Sequence, residues 1–191
     1  MNLQTKMPAT ADEFLRWNEG REGKREFVRG KVVELMINVT RNHAEIAANV
    51  IHLMRGQFDR KLFSVGSADF AVRTPDGIRF PDVFVDRKNR QATGSDLAAI
   101  EPIILVEVLS PTSLARDFHE KMKDYQGVPS LLYYLILAHD GPRAWLTARL
   151  RDGWSATEQI AGLTSTIFFP EFDIALPLAD IYDGVQLSPE Q

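Results

Sequence analysis

The sequence contains no cysteine, which excludes disulfide bonds, thiolate nucleophiles and cysteine-ligated zinc. A metal site in this chain would have to use oxygen or imidazole ligands, and oxygen ligands favour hard ions such as Mg²⁺ or Mn²⁺. The sequence also lacks an apolar run of about 18 residues, the length needed to cross a bilayer. Its first residues do not show the basic and then apolar order of a signal peptide. We therefore expect a cytoplasmic protein that does not enter a membrane.

Basic residues are in deficit overall, since the formal net charge is −4. Residues 153–191 contain six acidic side chains and no lysine or arginine, which argues against a protein that coats nucleic acid through charge alone. Residues 51–95 show the opposite bias, with eight basic against five acidic side chains. These basic residues form either a phosphate-binding surface or ordinary solvated surface. They are Arg55, Arg60, Lys61, Arg73, Arg79, Arg87, Lys88 and Arg90.

The composition, with 45% hydrophobic and 25% charged residues over a chain of 191, is typical of a globular protein, and we expect a single domain over 1–191. Thr10 and Glu13 form a capping box that predicts a short N-terminal helix. The stretch "REFVRGKVVELMI" predicts a β-hairpin that turns at Arg29 and Gly30. Helical and β-prone segments then alternate irregularly. The pattern predicts an α+β fold, with a mixed β-sheet flanked by helices after the N-terminal helix and hairpin.

A carboxylate lies inside the most apolar strand-like run, "IILVEVL". Branched aliphatic residues surround Glu107 on both sides, a pattern typical of a strand that is covered on both faces. An unpaired charge there would cost several kcal/mol. Glu107 therefore has either a partner or access to water or a ligand where the strand ends.

A second carboxylate, Asp82, begins a β-prone run, "PDVFVD". Pro81 donates no ladder hydrogen bond, so this position is a strand start or a strand edge. If the two strands are neighbours, Asp82 and Glu107 would share a divalent cation, which would be the partner that Glu107 needs. Taken alone, an aspartate after proline is more often a turn residue than a metal ligand.

The segment after Glu107 predicts a helix that ends at Gly127. Asp117, Lys121 and Tyr125 recur on it at every fourth position, so they lie above one another on one face. Lys121 adjoins an apolar stripe, from which its ammonium would reach the sheet. In the simpler interpretation, Asp117 and Lys121 form a surface pair and Tyr125 is a core residue.

His43 stands at the start of another predicted helix, "NHAEIAANVIHLMRGQF", on the same face as its apolar residues. It is a candidate for a polar site. A histidine that only packs or caps is the simpler interpretation.

Together these segments resemble the Uma2 family (DUF820), a branch of the PD-(D/E)XK nuclease superfamily. The resemblance covers most of the chain and rests on the order of its motifs: "EFVRGKVVEL", "NHAEIAANV", "PDVFV", "VEVLSPTS", "DFHEKMKDYQGVPSL" and "LPLADIYDGV". It implies a restriction-endonuclease-like fold and a metal-dependent endonuclease that hydrolyses phosphodiester bonds of DNA.

Residue roles carried over from this resemblance make Asp82 and Glu107 the ligands of Mg²⁺ or Mn²⁺. Leu109 stands where the superfamily motif has its lysine, and Lys121 is the residue that fits that role here. Glu26 and His43 resemble further polar members of the family's site, and Asp117 and Tyr125 are supporting candidates. The implied partners are DNA and a divalent metal, with a homodimer expected where both strands of a duplex are cut.

Two alternatives remain open at this point. One is a catalytically inactive protein of nuclease fold that binds DNA or another protein. The other is a structural or protein-interaction role in which an arginine or Lys121 neutralises Glu107. The acidic C-terminal segment favours the first alternative, whereas the complete set of Asp82, Glu107 and Lys121 favours the nuclease.

Overall fold

The computed structural model describes residues 7–35, 39–89, 91–109 and 120–187. Its α-helices are α1 (Ala11–Asn18), α2 (Arg41–Gln57), α3, which covers residues 120–126, and α4 (Leu178–Ile181), with a 3₁₀ turn at Pro170–Phe172. Thr10 caps α1 by accepting a hydrogen bond from the Glu13 amide, as the capping box predicts. Among the described helices, none is long and apolar enough to span a membrane.

Fourteen strands are described. They are β1 (Lys24–Val28), β2 (Lys31–Leu35), β3 (Phe63–Ser67), β4 (Ala71–Thr74), β5 (Gly77–Arg79), β6 (Val83–Arg87), β7 (Ala98–Ala99), β8 (Pro102–Leu109), β9 (Tyr133–Ala138), β10 (Arg143–Leu150), β11 (Gly153–Trp154), β12 (Glu158–Ala161), β13 (Thr166–Phe169) and β14 (Ile174–Pro177).

The larger sheet has seven strands, six of them in the order β11-β10-β9-β8-β6-β3, with β12 added on β10. Its middle strand, β8, runs parallel to β9 and antiparallel to β6, so the expected mixed sheet is confirmed. All eight residues of β8 are buried. One face of the sheet packs on α2, α4 and the β13–β14 hairpin, and the other packs on α3. This double coverage explains the continuous apolar run around Glu107.

The smaller sheet has the order β2-β1-β5-β4-β7 and encloses a separate core with α1. Arg29 and Gly30 both have positive φ, +49° and +77°, which is the geometry of a two-residue hairpin turn. Gly77, with φ of +153°, lies so close to β1 that an added Cβ would be 1.7 Å from the Phe27 carbonyl oxygen. Only glycine therefore permits β5 to approach β1.

Two features of the sheets differ from the sequence pattern. The β-prone run that contains Asp82 becomes a strand only at Val83, since Pro81 cannot donate to the ladder. The β13–β14 hairpin was not predicted. Its first strand alternates between exposed and buried residues over only four positions, which is too short a stretch to stand out in the sequence.

Candidate active site

Asp82 and Glu107 lie on neighbouring strands. Val83 pairs with Val106 in the antiparallel register of β6 and β8, so Asp82 stands opposite Glu107 by continuation of that register. Residues opposite each other in such a pair project from the same face, with Cβ atoms about 5 Å apart. The main-chain amide of Val108 donates to Asp82 Oδ2 at 2.8 Å, which ties the two segments together at this point.

Among the described residues, Glu107 has two side-chain partners, both from α3. Lys121 Nζ donates to Oε2 at 2.7 Å, and the Tyr125 hydroxyl donates to Oε1 at 2.8 Å. Lys121 and Tyr125 are one helical turn apart, so the spacing that the sequence showed brings both donors to the same carboxylate. The partner that a carboxylate inside a buried strand requires is therefore this pair.

Burial raises the pKa of Glu107 to about 7, because it outweighs the opposing charge of Lys121. The negative charges of Asp82 and Glu26 act in the same direction as burial. Burial also raises the pKa of Tyr125 well above its usual value, so its hydroxyl stays protonated and keeps donating.

Lys121 is held in its charged form. Burial by itself would lower the pKa of Lys121, but the negative charges of Glu107, Glu26 and Asp82 hold it above its usual value. The pKa values of Glu107 and Lys121 are thus both raised, which means that this pair holds its protons tightly. For Glu107 the main cause of the rise is burial, whereas for Lys121 the neighbouring carboxylates raise the pKa against the effect of burial.

Asp82 is a carboxylate in its ionised state. Burial would raise its pKa, but the hydrogen bond and charge of His43, the Val108 amide and the charge of Lys121 together hold it below the usual value. His43 Nε2 lies 3.1 Å from Asp82 Oδ2. Within the described part of the chain, Asp82 Oδ1 makes no hydrogen bond, and the side chain is 14% exposed.

A buried ion network adjoins this pair. Arg79 Nη1 donates to Glu26 Oε2 at 2.5 Å, while its Nη2 donates to Asp124 Oδ2 at 2.6 Å. The side chains of Glu26 and Asp124 are each only 1% exposed. Arg79 ends β5 and Asp124 precedes Tyr125, so the network joins the smaller sheet to the helix that carries Lys121.

The two clusters together contain more negative than positive charge. Two cations, Arg79 and Lys121, face four carboxylates, and His43 is the remaining basic group among the described residues of this region. The carboxylates are Glu26, Asp82, Glu107 and Asp124. A divalent cation beside Asp82 and Glu107 would therefore balance the excess.

The site opens into a cleft of about 720 Å³, which His43, Asp82, Glu107 and Lys121 line. Arg21, after α1, and the first two residues of β1 form a basic border of this cleft, which we call the lip and define as Arg21, Lys24 and Arg25. Arg21 stacks on the Trp17 ring at 4.2 Å, and Arg25 pairs with the exposed Glu34. Two acidic residues, Glu19 and Asp69, also line the cleft.

The basic residues of 51–95 do not form this border. Among those that the structure describes, none lines the cleft. Three have acidic partners: Arg73 pairs with Asp12, Arg79 with Glu26 and Asp124, and Arg87 with Glu101. The basic side chains that border the cleft are therefore those of the lip and not those of 51–95, and Arg90 lies outside the described residues.

The predicted site residues are distributed as follows. Asp82 bonds with His43, and Glu107 accepts from Lys121 and Tyr125. These two sets of hydrogen bonds are adjacent, because Val108, next to Glu107 in the chain, donates its amide to Asp82. Glu26 is bound to Arg79 in the neighbouring ion network. Asp117 lies outside the described residues.

Sequence reasoning missed the importance of Arg79 and Asp124. Arg79 follows the buried Ile78 in a short apolar strand, so it is a charge in a covered strand, as Glu107 is. That signal was available in the sequence, whereas the identity of its two partners depends on tertiary packing.

The family model described as "Uma2: Putative restriction endonuclease" matches residues 11–179. The chain belongs to the Uma2 family. Two similar proteins come from Synechocystis sp. (strain ATCC 27184 / PCC 6803 / Kazusa). Uncharacterized protein sll1609 is 24% identical over 163 residues, covering 78% of this chain and 92% of the relative. Uncharacterized protein slr1290 is 28% identical over 146 residues, covering 74% of this chain and 75% of the relative.

The fold of this Uma2 protein resembles a crystal structure described as a putative nuclease belonging to DUF820 from Anabaena variabilis ATCC 29413. The TM-score is 0.75 at 16% identity, and the match covers 94% of this chain and 100% of the other. The expected fold class is thereby confirmed.

Proposed function

We propose that this Uma2 protein is an endonuclease that hydrolyses phosphodiester bonds of DNA with the help of Mg²⁺ or Mn²⁺. The observation that carries the proposal is the register of β6 and β8, which brings two carboxylates to one face with an ammonium beside them. The membership of a nuclease family supports the same reaction class.

The residues present fit a divalent cation of the magnesium type. Within the described residues, no three His, Asp or Glu side chains converge closely enough to hold an ion by themselves. Mg²⁺ commonly binds through one or two carboxylates and completes its shell with water and substrate phosphate. Asp82 and Glu107 would be those carboxylates, and the unbalanced negative charge around them favours such an ion.

When bound, the ion would polarise the scissile phosphate and lower the pKa of a nearby water. Lys121, held by Glu107, would neutralise negative charge that develops on the phosphate oxygens. Tyr125 keeps Glu107 oriented through its second oxygen. His43 holds Asp82 in place through Oδ2, which leaves Oδ1 directed at no other described side chain.

One observation favours a second candidate, the structural or protein-interaction role in which Lys121 neutralises Glu107. Lys121 and Tyr125 already occupy both oxygens of Glu107. A carboxylate oxygen has two lone pairs, so it accepts a hydrogen bond and binds a cation at the same time. The nuclease is therefore the better supported of the two.

The decisive experiment pairs cation binding with cleavage. We expect calorimetric titration with Mg²⁺ to give millimolar or tighter binding, and Asp82→Asn to weaken it at least about tenfold because one of two charged ligands is lost. Labelled single-stranded and duplex DNA, incubated with Mg²⁺ or Mn²⁺, should be cut by the wild type and by the control but not by Asp82→Asn. The exposed Asp152→Asn is the matched control. Cleavage that survives Asp82→Asn would contradict the proposed site.

The lip gives a second prediction. Replacing Arg21, Lys24 and Arg25 together by glutamine should weaken DNA binding about tenfold or more at 0.15 M salt and lower the salt dependence, because fewer counterions are released. Fluorescence anisotropy in EDTA measures this without cleavage. The control is the triple variant Arg29→Gln, Lys31→Gln, Arg151→Gln, which removes three positive charges at exposed positions outside the lip. Equal losses in both variants would show that only net charge matters.

A further inference from the structure

A second basic cluster lies away from the cleft. Arg55, Arg60 and Lys88 line a small depression of about 110 Å³, together with Ser64 and three apolar residues. None of the carboxylates in the described part of the chain lines it. We call these three basic residues the rear patch.

The rear patch is unusual because its cations lack acidic partners. Within the described residues, neither Arg55 nor Arg60 takes part in an ion pair, and Lys88 Nζ donates only to the Arg60 main-chain oxygen, at 2.6 Å. Lys61 is a further exposed cation next to it. In a chain with a net charge of −4, a group of basic side chains without counterions is a site of strong anion attraction.

The surroundings hold the patch in place. Phe63, which lines the depression, packs edge-on against Phe58 at 5.0 Å. Lys88 is fixed further by the bond from its amide to the Leu62 carbonyl. The neighbouring strand β3 is the edge of the larger sheet, so part of its main chain faces away from β6 and is open to a ligand.

The distance between the rear patch and the candidate active site follows from α2 and β6, since each of these elements extends from one to the other. His43 and Arg55 lie at opposite ends of α2, twelve positions apart, which corresponds to about 18 Å. Asp82 and Lys88 lie at opposite ends of β6, six positions apart, which corresponds to about 20 Å. Both elements therefore place the rear patch roughly 20 Å from the carboxylates.

We propose that the rear patch is a second phosphate-binding site, which holds the backbone of a nucleic acid whose scissile phosphate lies at Asp82 and Glu107. The position of the scissile phosphate in this inference rests on the proposed endonuclease function, whereas the binding of nucleic acid by the rear patch does not. A depression of this size suits one phosphate group, and arginine and lysine bind it without reading the base sequence. DNA long enough to reach both sites would gain affinity from the second contact.

The test compares a long and a short ligand. A 16-mer reaches both sites, whereas a tetranucleotide covers only about 10 Å at 3.4 Å per nucleotide along a strand. We expect the variant Arg55→Gln, Arg60→Gln, Lys88→Gln to bind the 16-mer about tenfold or more weakly and the tetranucleotide as the wild type does. Anisotropy in EDTA measures both, and the lip variant should lose affinity for both ligands.

Several outcomes would overturn the rear patch as a nucleic-acid site. They are an unchanged affinity for the 16-mer, an equal loss for the tetranucleotide, and an equal loss in the control Arg29→Gln, Lys31→Gln, Arg151→Gln. Tighter binding of inorganic phosphate or of anionic vesicles than of the 16-mer, abolished by the same substitutions, would assign the patch to another ligand. Because EDTA prevents metal-dependent cutting, a protein that binds in this way but never cleaves would refute only the endonuclease proposal.

Discussion

Replacing Glu107 by glutamine is expected to abolish DNA cleavage while stabilising the metal-free protein above neutral pH. Loss of a charged ligand removes several kcal/mol of transition-state stabilisation, which corresponds to about 1000-fold or more in rate. Glutamine keeps the shape of the side chain, but only its single oxygen accepts, so it keeps one of the two hydrogen bonds that Lys121 and Tyr125 donate to Glu107. The exposed Glu158→Gln is the matched control for both effects.

The stability effect depends on pH in a direction that the pKa of Glu107 determines. Because burial raises that pKa to about 7, the folded state binds the proton more tightly than the unfolded state does. The stability contributed by this group is complete below the unfolded pKa, about 4.5, and is lost as the pH rises through 7. Glutamine does not ionise, so the variant Glu107→Gln does not lose stability in this way as the pH rises.

Urea denaturation of both proteins in EDTA at pH 5 and pH 8 measures the difference. The gain from Glu107→Gln should increase between these values by on the order of 2–3 kcal/mol. Added Mg²⁺ should stabilise the wild type at pH 8 and leave the variant unchanged. A gain that is the same at both pH values would mean that Glu107 is ionised throughout, and the argument from burial would be wrong.

Local sequence singled out three residues of this site but did not predict their contacts. Glu107 was conspicuous because a charge in a covered strand is costly, and Lys121 and Tyr125 because helical spacing aligns them. Their contact with Glu107 depends on how α3 packs on β8. The family resemblance, more than any local pattern, indicated that Asp82 and Glu107 belong together.

The remaining features depend on partners distant in sequence. The pairing of β6 with β8 is a long-range contact that no residue pattern encodes uniquely. The basic residues of 51–95 look alike in sequence, yet three are neutralised by partners in other segments and three form the rear patch. The lip was overlooked because its charges are mixed with acidic residues in "NEGREGKRE".

Replacing Arg79 by methionine is expected to destabilise the protein by about 3–5 kcal/mol, because two buried carboxylates lose their shared counterion. Asp124 already has one buried oxygen, Oδ1, without a hydrogen bond among the described residues, so no spare donor is at hand to replace the guanidinium. Chemical denaturation should show a lower midpoint with an unchanged slope. In the control Arg87→Met, which breaks a half-exposed pair with Glu101, the loss should be below about 1 kcal/mol.

A triple variant separates the loss of charge balance from the loss of packing. Glu26→Gln, Arg79→Met and Asp124→Asn together remove every charge of the network, so most of the lost stability should return. In Arg79→Met alone, acidification should also recover stability, because protonation of Glu26 and Asp124 removes their uncompensated charge. If Arg79→Met proves as mild as Arg87→Met, the network does not join the smaller sheet to α3 in the way its distances indicate. If the triple variant is no more stable than the single one, its role is packing rather than charge.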